Sequence, residues 1–335
     1  MKINFKKITL IAATAIIGAV CLCVTAAETG RILLPIVEKG KQGLIDTSGN
    51  IVVSPMYDAI GVFSEGLADY SKGNRWGYID ETGAVVIAPK FEGTMSFAEE
   101  LAGFQKNGMW GFIDKTGETA IEARYVAVCQ FSEELACVQE GEKWGYIDKT
   151  GEYVIPAKYG MASDFSDGLA TVVVGECSDD ACKNVFIDKT GAVAFKKQFD
   201  EAMPFAEGLA PVRSKNTWGY IDKTGKTAIQ FKYSAANQFS EGLAAVRSGV
   251  KCGFIDKTGR AVIPLKFDEV GQFSFGMAPA KKDGKWGVID KTGKFIVNPL
   301  FHDVEVKSKN TIYVRLKKNI GYLNLGGAYI WKGSL

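Results

Sequence analysis

A repeat of 34 residues runs through almost the whole chain and limits the folds that the chain can adopt. The aspartate of the phrase KWGYIDKTG (Lys143 to Gly151) marks each copy, at spacings of 34, 34, 34, 40, 34, 34, 34 and 34 residues. It stands at Asp46, Asp80, Asp114, Asp148, Asp188, Asp222, Asp256 and Asp290, with Asn324 in the ninth place. The phenylalanine of a phrase like FSEGLA has the same period and the same single step of 40. The chain is therefore an array of nine units.

One unit has the pattern of a small antiparallel meander. In residues 243–276, the apolar stretches Leu243–Arg247, Lys251–Asp256 and Ala261–Ile263 are separated by short glycine turns, which predicts three hairpin-connected strands. Pro264 is expected to end the third strand, because proline has no donor for a sheet interior. The Phe267-Asp268 segment offers a short fourth strand.

The repeated Asp-Lys-Thr-Gly segment is interpreted as a turn. An aspartate accepts hydrogen bonds from the backbone two residues on, and glycine takes the positive-φ position. The alternative is a metal ligand or an acid catalyst. A calcium ion requires six to eight oxygens, and one aspartate per unit does not supply such a cluster. The glutamate and glycine of FSEG (for example Glu65 and Gly66) predict a tight corner between units, with no functional role.

The recurring motifs of the unit resemble those of the bacterial WG-repeat family. The Trp-Gly pair stands at Trp76, Trp110, Trp144, Trp218 and Trp286, each followed by glycine, whereas Gln42, Asn184, Cys252 and Ile320 replace the tryptophan in four units. The resemblance covers about residue 33 to the C-terminus. It implies a repeat scaffold, and no shared catalytic residue comes with it. We interpret the tryptophans as wedges between units; the alternative is a set of exposed platforms for sugars or peptides.

A unit of this size cannot bury its own apolar face, so neighbours must stack. We expect an all-β, propeller-like array of nine antiparallel meanders, with an open superhelical array as the alternative, because nine units exceed the usual number of blades. Residues 33–335 are expected to form one domain whose last unit is truncated after its third strand. No swapped strand that would close a ring is evident.

The N-terminus predicts export. Lys2, Lys6 and Lys7 precede an uncharged run from Ile8 to Val24, and Thr25-Ala26 follows, as in a cleaved signal peptide over residues 1–26. The alternative is an uncleaved anchor, which would be the only membrane contact. The expected location is the periplasm, the cell surface or the exterior. Without the three lysines the formal charge falls from +2 to about −1, and a chain without a basic block is not expected to bind nucleic acid.

No motif for a cofactor, a metal site or a catalytic triad is present. The single histidine, His302, is not expected to be catalytic. The predicted function is therefore a non-enzymatic scaffold that binds a protein, a peptide or a glycan. The alternative is a carbohydrate-active enzyme whose carboxylate pair is formed only by folding.

The one irregular unit suggests a contact site. Its six extra residues are expected to lengthen a turn between the strands Thr171–Val174 and Val185–Ile187, and export would favour a disulfide between Cys177 and Cys182. Insertions in repeat proteins often lie on the binding face, so the partner contact is predicted at Ser178, Asp179 and Asp180. The alternative is a tolerated insertion with two free thiols. Cys129, Cys137 and Cys252 are interpreted as small apolar core residues.

A row of turn lysines is a weaker candidate surface. Stacking should place six of them on one rim: Lys115, Lys149, Lys189, Lys223, Lys257 and Lys291. They either bind an anionic polymer of the envelope or keep the hairpin tips soluble.

Overall fold

The computed structural model describes residues 31–175 and 182–334. Every regular element in these residues is a β-strand, and the 34 strands form nine antiparallel sheets. The sheets are the blades of a nine-bladed β-propeller, so the propeller expectation is confirmed and the open superhelix is not adopted. Among these residues no helix is long and apolar enough to cross a membrane.

The first five blades follow one another along the chain. Blade 1 contains β1 (Leu33–Glu38), β2 (Lys41–Asp46) and β3 (Ile51–Tyr57); blade 2 contains β4 (Ala59–Ile60), β5 (Leu67–Lys72), β6 (Arg75–Asp80) and β7 (Val85–Phe91). Blade 3 contains β8 (Gly93–Thr94), β9 (Ala102–Lys106), β10 (Met109–Ile113) and β11 (Thr119–Tyr125); blade 4 contains β12 (Ala127–Val128), β13 (Ala136–Glu140), β14 (Lys143–Ile147) and β15 (Tyr153–Tyr159). Blade 5 contains β16 (Met161–Ala162), β17 (Ala170–Val174) and β18 (Lys183–Ile187).

The other four blades each have four strands. Blade 6 contains β19 (Glu201–Ala202), β20 (Leu209–Ser214), β21 (Thr217–Asp222) and β22 (Thr227–Tyr233); blade 7 contains β23 (Ala235–Ser240), β24 (Leu243–Ser248), β25 (Lys251–Ile255) and β26 (Ala261–Phe267). Blade 8 contains β27 (Glu269–Val270), β28 (Met277–Lys282), β29 (Lys285–Asp290) and β30 (Phe295–Phe301); blade 9 contains β31 (Asp303–Ser308), β32 (Thr311–Leu316), β33 (Asn319–Asn324) and β34 (Tyr329–Ser334).

The blades are offset from the units of the sequence. The short fourth strand lies at Glu269–Val270 rather than Phe267-Asp268, and it pairs with β28 of the following unit. Each short strand thus begins a blade instead of ending one. This offset ties consecutive units together, because a corner such as Ser64–Leu67 leads from the short strand into the next long one.

The third long strand does not end at proline. Strand β26 continues through Pro264 to Phe267. Phe254 of β25 lies opposite Ile263 and Cys252 lies opposite Phe267, so five residues of β26 face three of β25. Proline is tolerated there because the stretch forms a bulge, in which the ladder of hydrogen bonds is interrupted. Our expectation that Pro264 terminates the strand was wrong for this reason.

The same bulge explains the glycine of the Trp-Gly pair. In blade 4, a Cβ atom on Gly145 would lie 2.5 Å from the carbonyl oxygen of Ile155 and 2.6 Å from the backbone nitrogen of Ala157. Only glycine allows the bulged strand β15 to approach β14 so closely.

The core consists of layers between neighbouring blades. Tyr146 faces blade 5, where its ring centroid lies 4.9 Å from that of Phe165. The adjacent Ile147 points to the opposite face and packs with Phe112 and Phe131. Each buried aromatic ring contributes roughly 1.5–3 kcal/mol of burial free energy. A blade therefore needs both neighbours, as the sequence predicts.

The ring closes by packing and not by a swapped strand. Strand β34 lies against β1, and Tyr322 forms an apolar cluster with Leu34, Ile36 and Ile45 of blade 1. The hydroxyl of Tyr322 donates a hydrogen bond to the carbonyl oxygen of Pro35 at 2.6 Å. Closure protects the edge strands, which an open array would leave exposed.

Candidate functional site

The repeated aspartates are turn residues. In blade 4, Oδ1 of Asp148 accepts hydrogen bonds from the amide and the hydroxyl of Thr150, at 2.9 and 2.6 Å, and from the amide of Glu152 at 3.1 Å. Gly151 has a φ of 86°. The hydrogen bond from Thr150 is the main cause that lowers the pKa of Asp148. The turn interpretation is confirmed, and the carboxylate is occupied by its own loop.

The corner glutamates join consecutive blades. The carboxylate of Glu241 accepts a hydrogen bond from the amide of Gly276 at 2.9 Å and forms an ion pair with Lys291 at 3.2 Å. Both partners belong to blade 8, whereas Glu241 lies at the corner of blade 7.

Five of the six turn lysines make this ion pair. The pairs are Lys115–Glu65, Lys149–Glu99, Lys189–Glu133, Lys257–Glu207 and Lys291–Glu241. Lys223 makes no ion pair with any residue in the described part of the chain; the acid at the matching corner is Asp167, whose side chain is one methylene shorter. Acidic side chains therefore stand beside most lysines of the row. Binding of the row to an anionic polymer stays a prediction.

The five tryptophans of the Trp-Gly pairs lie between blades. Trp218 is buried, and the other four are half-buried against the inter-blade clusters. This packing agrees with the wedge interpretation. In two of the four units without this tryptophan, a polar side chain contacts the next blade: Gln42 accepts a hydrogen bond from the amide of Ile60 at 2.8 Å, and Asn184 donates one to the carbonyl oxygen of Asp200 at 3.0 Å.

His302 also has a structural position. Its Nδ1 accepts a hydrogen bond from the amide of Lys317 at 3.0 Å. In blade 8 the same place is taken by Asp268, which accepts a hydrogen bond from the amide of Gly284 at 3.1 Å. His302 thus stabilises a hairpin turn in place of a carboxylate.

Blade 5 lacks that carboxylate, and a groove lies there. Gly160 stands at the position of Asp268, and beside it is a groove of about 390 Å³ lined by Lys143, Lys158, Tyr159 and Gly175 among others. A Cβ atom on Gly160 would meet no atom closer than 3.6 Å. Lys143 forms no ion pair within residues 31–175 and 182–334, whereas the equivalent Lys251 pairs with Asp268 at 2.7 Å.

The groove adjoins the irregular turn. Strands β17 and β18 pair from Ala170–Ile187 to Val174–Lys183, which confirms that the extra residues lengthen the turn between them. Cys177, Ser178, Asp179 and Asp180 lie outside the described residues, and so does the predicted bond between Cys177 and Cys182. Residues 1–26, with the predicted signal, lie outside them as well.

A disulfide joins Cys129 and Cys137 in blade 4, with their Cα atoms 5.1 Å apart. Our interpretation of both as unbonded core residues was wrong. The amide of Cys129 donates a hydrogen bond to the carbonyl oxygen of Cys137 at 2.8 Å. The pairing of β12 with β13 thus continues to Cys129 and brings the two cysteine side chains together. The eight-residue separation was the available signal; only the register across the corner shows that the two positions face each other.

Cys129 lines a cavity of about 410 Å³ together with Ser163, Asp164, Pro204 and Gln238. These residues come from four consecutive blades, whereas a groove at the periphery contacts only two. The cavity therefore lies beside the propeller axis. Sulfur atoms of both cysteines and a carboxylate oxygen of Asp164 lie within 4.8 Å of one another. The structure thus brings two cysteines and an acid together at a place that the sequence did not indicate.

Two carboxyl groups have raised pKa values because protein surrounds them. Asp164 stays in contact with water in the axial cavity, and the surrounding blades raise its pKa to about 6. Burial also raises the pKa of Asp69, which accepts a hydrogen bond from the hydroxyl of Thr94 at 3.2 Å. Asp69 belongs to blade 2 and Asp164 to blade 5, so these two acids are not a neighbouring pair.

The propeller resembles solved structures of very different sequence. It superposes on a eukaryotic initiation factor with a TM-score of 0.67 and 12% identity, over 91% of this chain and 96% of that one. It superposes on the dihydro-haem d1 dehydrogenase NirN in complex with DHE with a TM-score of 0.50 and 13% identity, over 93% of this chain and 76% of that one. At such identities the likeness concerns the fold alone. No curated protein matches the chain in sequence.

The repeat itself matches a known family. Eight copies of the WG containing repeat match residues 43–76, 76–110, 110–144, 144–176, 186–218, 218–252, 253–286 and 286–319. These copies cover most of the chain, and their tryptophans, glycines and turn aspartates have the structural roles described above. The chain belongs to the family of WG containing repeat proteins.

Proposed function

We propose that this propeller is an exported, non-enzymatic scaffold that binds a protein, peptide or glycan partner at the boundary of blades 4 and 5. The groove beside Gly160 carries the proposal. The recurring side chains hold blades together, whereas this boundary combines two features: Lys143 faces Gly160, which offers it no side-chain partner, and the boundary carries the inserted turn. Val126 and Ser234 also replace the carboxylate, but Met109 and Thr217 stand there in place of the lysine. Insertions in repeat arrays often map to the binding face.

The charge of the groove suggests the chemistry of the partner. Lys143 and Lys158 both line it, and Lys158 lies over the ring of Tyr159 at 5.1 Å. A cation beside an aromatic ring and a neighbouring lysine favours a partner that offers a carboxylate or another anionic group. The inserted Ser178, Asp179 and Asp180 stay predicted contact residues for the partner.

Two observations support export. The basic residues Lys2, Lys6 and Lys7 precede the uncharged run Ile8–Val24, as in a signal peptide. The Cys129–Cys137 disulfide is a bond of the kind that persists in oxidising compartments. N-terminal sequencing of the protein from its native host should show a chain that begins at or close to Ala27. A full-length chain in the membrane fraction would instead support the anchor, and a full-length soluble chain would contradict export.

Partner binding is tested by filling the groove. The substitution Gly160→Asp would place a carboxylate beside Lys143, as Asp268 stands beside Lys251 at the boundary of blades 7 and 8. We expect purified wild-type protein lacking residues 1–26 to retain specific components of a cell-envelope extract, and the variant to retain them several-fold less.

The matched controls have the same chemistry at a regular boundary. Lys143→Ser with Lys158→Ser should reduce retention, and Lys251→Ser with Lys266→Ser, at the equivalent positions, should not. Deletion of residues 176–181 should also reduce it. Equal retention by all these variants would refute a binding site at this boundary.

A further inference from the structure

The Cys129–Cys137 disulfide is not needed to build its blade. The amide at the position of Cys129 donates to the carbonyl at the position of Cys137 in other blades too, for example from Met95 to Gly103 at 2.9 Å. In blade 5 the corresponding side chains of Ser163 and Thr171 are held by a hydrogen bond of 2.9 Å. Because these blades form without a covalent bond at this place, blade 4 is expected to stay folded when the bond is reduced.

The two sulfur atoms differ in access. Cys129 is half-buried and lines the axial cavity, whereas Cys137 is fully buried. An incoming thiolate can therefore reach the sulfur of Cys129 from the cavity, and the sulfur of Cys137 is the leaving group. A buried thiolate is a poor leaving group because burial penalises its charge.

Asp164 stands where this charge would develop. Its Oδ1 lies 4.0 Å from Sγ of Cys137. At the same repeat position in other blades, a neutral residue takes the place of Asp164. Gln130 corresponds to it beside Gly103, and Pro204 corresponds to it beside Thr171. The only disulfide in the described part of the chain is thus also the one that faces an acid.

We propose that the Cys129–Cys137 disulfide is a redox site that oxidises a small dithiol, with Asp164 exchanging a proton with the sulfur of Cys137. This single exchange consumes the disulfide and is not a catalytic cycle; it is additional to the proposed partner binding and does not depend on the groove at Gly160.

The exchange balances with a dithiol as the only co-reactant. A substrate thiolate attacks Sγ of Cys129, the bond to Sγ of Cys137 breaks, and the protonated carboxyl of Asp164 gives its proton to the departing sulfur. The first step leaves a mixed disulfide between the substrate and Cys129. The second thiolate of the substrate then attacks the substrate's own sulfur in this bond and releases the Cys129 thiolate, which takes a proton from water. The substrate dithiol becomes a disulfide and loses two electrons, and the two cysteines become thiols.

The surroundings of Asp164 leave its charge uncompensated. The titratable groups facing it are Cys129 and Cys137 from blade 4 and Tyr146 of β14, whose hydroxyl donates to the carbonyl oxygen of Ser163 at 2.8 Å. From blades 6 and 7 the cavity wall presents Pro204 and Gln238. Crowding by protein raises the pKa of Asp164 to about 6, so near neutral pH a fraction of the carboxyl groups holds the proton that the leaving sulfur needs.

The test is the rate at which dithiothreitol reduces the disulfide in the chain without residues 1–26. The second-order rate constant is divided by the fraction of dithiothreitol present as thiolate, at pH values from about 5 to about 8. We expect the observed rate to rise in proportion to reagent concentration, and the corrected constant to fall at least about threefold as the pH rises through about 6. Above that pH the carboxylate repels the attacking thiolate and has no proton to give.

Two variants serve as controls. Asp164→Asn should abolish the pH transition while the protein stays folded by circular dichroism. In a Cys129→Ser, Cys137→Ser background, Met95→Cys with Gly103→Cys places a disulfide at the corresponding site of blade 3, beside the neutral Gln130; it should react without the transition.

Three results would overturn the proposal. One is a corrected constant for the wild type that does not change with pH. Another is a reduction rate that saturates at the unfolding rate, which would show a structural bond only. The third is loss of the native circular dichroism spectrum on reduction of the wild type. Partner retention can be measured on the same preparations, so failure of the redox site is distinguishable from failure of the groove.

Discussion

The hydroxyl of Tyr322 donates a hydrogen bond to the carbonyl oxygen of Pro35, 287 residues earlier in the chain. The same tyrosine position also joins neighbours inside the array, for example from Tyr220 to the carbonyl oxygen of Asn237 at 2.8 Å. The acceptor differs, because Asn237 lies in the first strand of its blade, β23, whereas Pro35 lies in the long strand β1. The ring therefore closes with a tyrosine that other boundaries use as well, bonded to a different backbone position.

The closing bond should contribute as much as an internal one. Tyr322→Phe removes a hydroxyl and leaves the carbonyl of Pro35 without this donor, and phenylalanine already occupies the position in blade 3 at Phe112. We expect a loss of about 1 kcal/mol in the free energy of unfolding from urea denaturation. Tyr220→Phe is the matched control and should give a similar loss. A neutral Tyr322→Phe beside a destabilising Tyr220→Phe would indicate that the ring opens readily at this boundary.

The glycine of the Trp-Gly pair should tolerate no side chain. Gly145→Ala places a methyl group 2.5 Å from the carbonyl oxygen of Ile155, so the bulge in β15 must move. We expect a loss of about 2 kcal/mol or more in the free energy of unfolding. Gly160→Ala, where the added methyl group meets nothing within 3.5 Å, should change it by less than about 0.5 kcal/mol. Equal effects of the two substitutions would contradict the steric explanation.

The turn aspartates should make the protein sensitive to acid. The hydrogen bond from Thr150 and those from the backbone lower the pKa of Asp148 below its value in the unfolded chain. A lowered folded-state pKa gives stability that is present above the unfolded value, about 3.9, and is lost as the pH falls through the folded value. The urea midpoint should therefore drop as the pH is lowered below about 4. Thr150→Val should raise the pKa of Asp148 in an NMR titration, and an unchanged pKa would show that this hydrogen bond does not form.

The lysine row should contribute to stability through its ion pairs. Lys257→Glu breaks the pair with Glu207, which spans 3.1 Å, and places two acids at one corner. We expect a loss of about 1 kcal/mol that shrinks at high salt. Lys223→Glu should cost less, because the shorter Asp167 stands at the matching corner. Thermal denaturation at low and high salt measures both, and a larger effect at Lys223 would argue against this role of the corner acids.

A single unit should not fold. The excised residues 101–134 contain β9, β10 and β11, but β12 loses its partner β13 and both apolar faces lose their neighbouring blades. We expect a disordered peptide by circular dichroism, whereas the complete array is rich in β-structure. Cooperative melting of the isolated unit would show that one blade is self-sufficient.

The sequence contained most of the architecture because the information repeats locally. The Asp148 turn, the corner at Glu65 and the meander of residues 243–267 depend on residues within a few positions of one another. Turn chemistry and the alternation of apolar residues were therefore enough to predict nine all-β units. The position of Trp144 between blades followed from its size and its place in the strand.

Other features depend on residues that only the assembled ring brings together. The ring closes at Tyr322 and Pro35 because the rotations between its nine blades add up to a full turn. No single unit specifies that total. The continuation of β26 through Pro264 follows from a bulge whose partner strand accommodates it. The amino-acid pattern of one unit shows neither.

The axial cavity is the clearest case. Cys129 and Cys137 are bonded because the corner places their backbones opposite each other, and Asp164 joins them from the next blade. The groove at Gly160 likewise exists because a side chain absent from one blade leaves space beside a lysine of another. Repetition along the chain determines the blades, whereas contacts across blade boundaries, which depend on distances in three dimensions, determine where chemistry can occur.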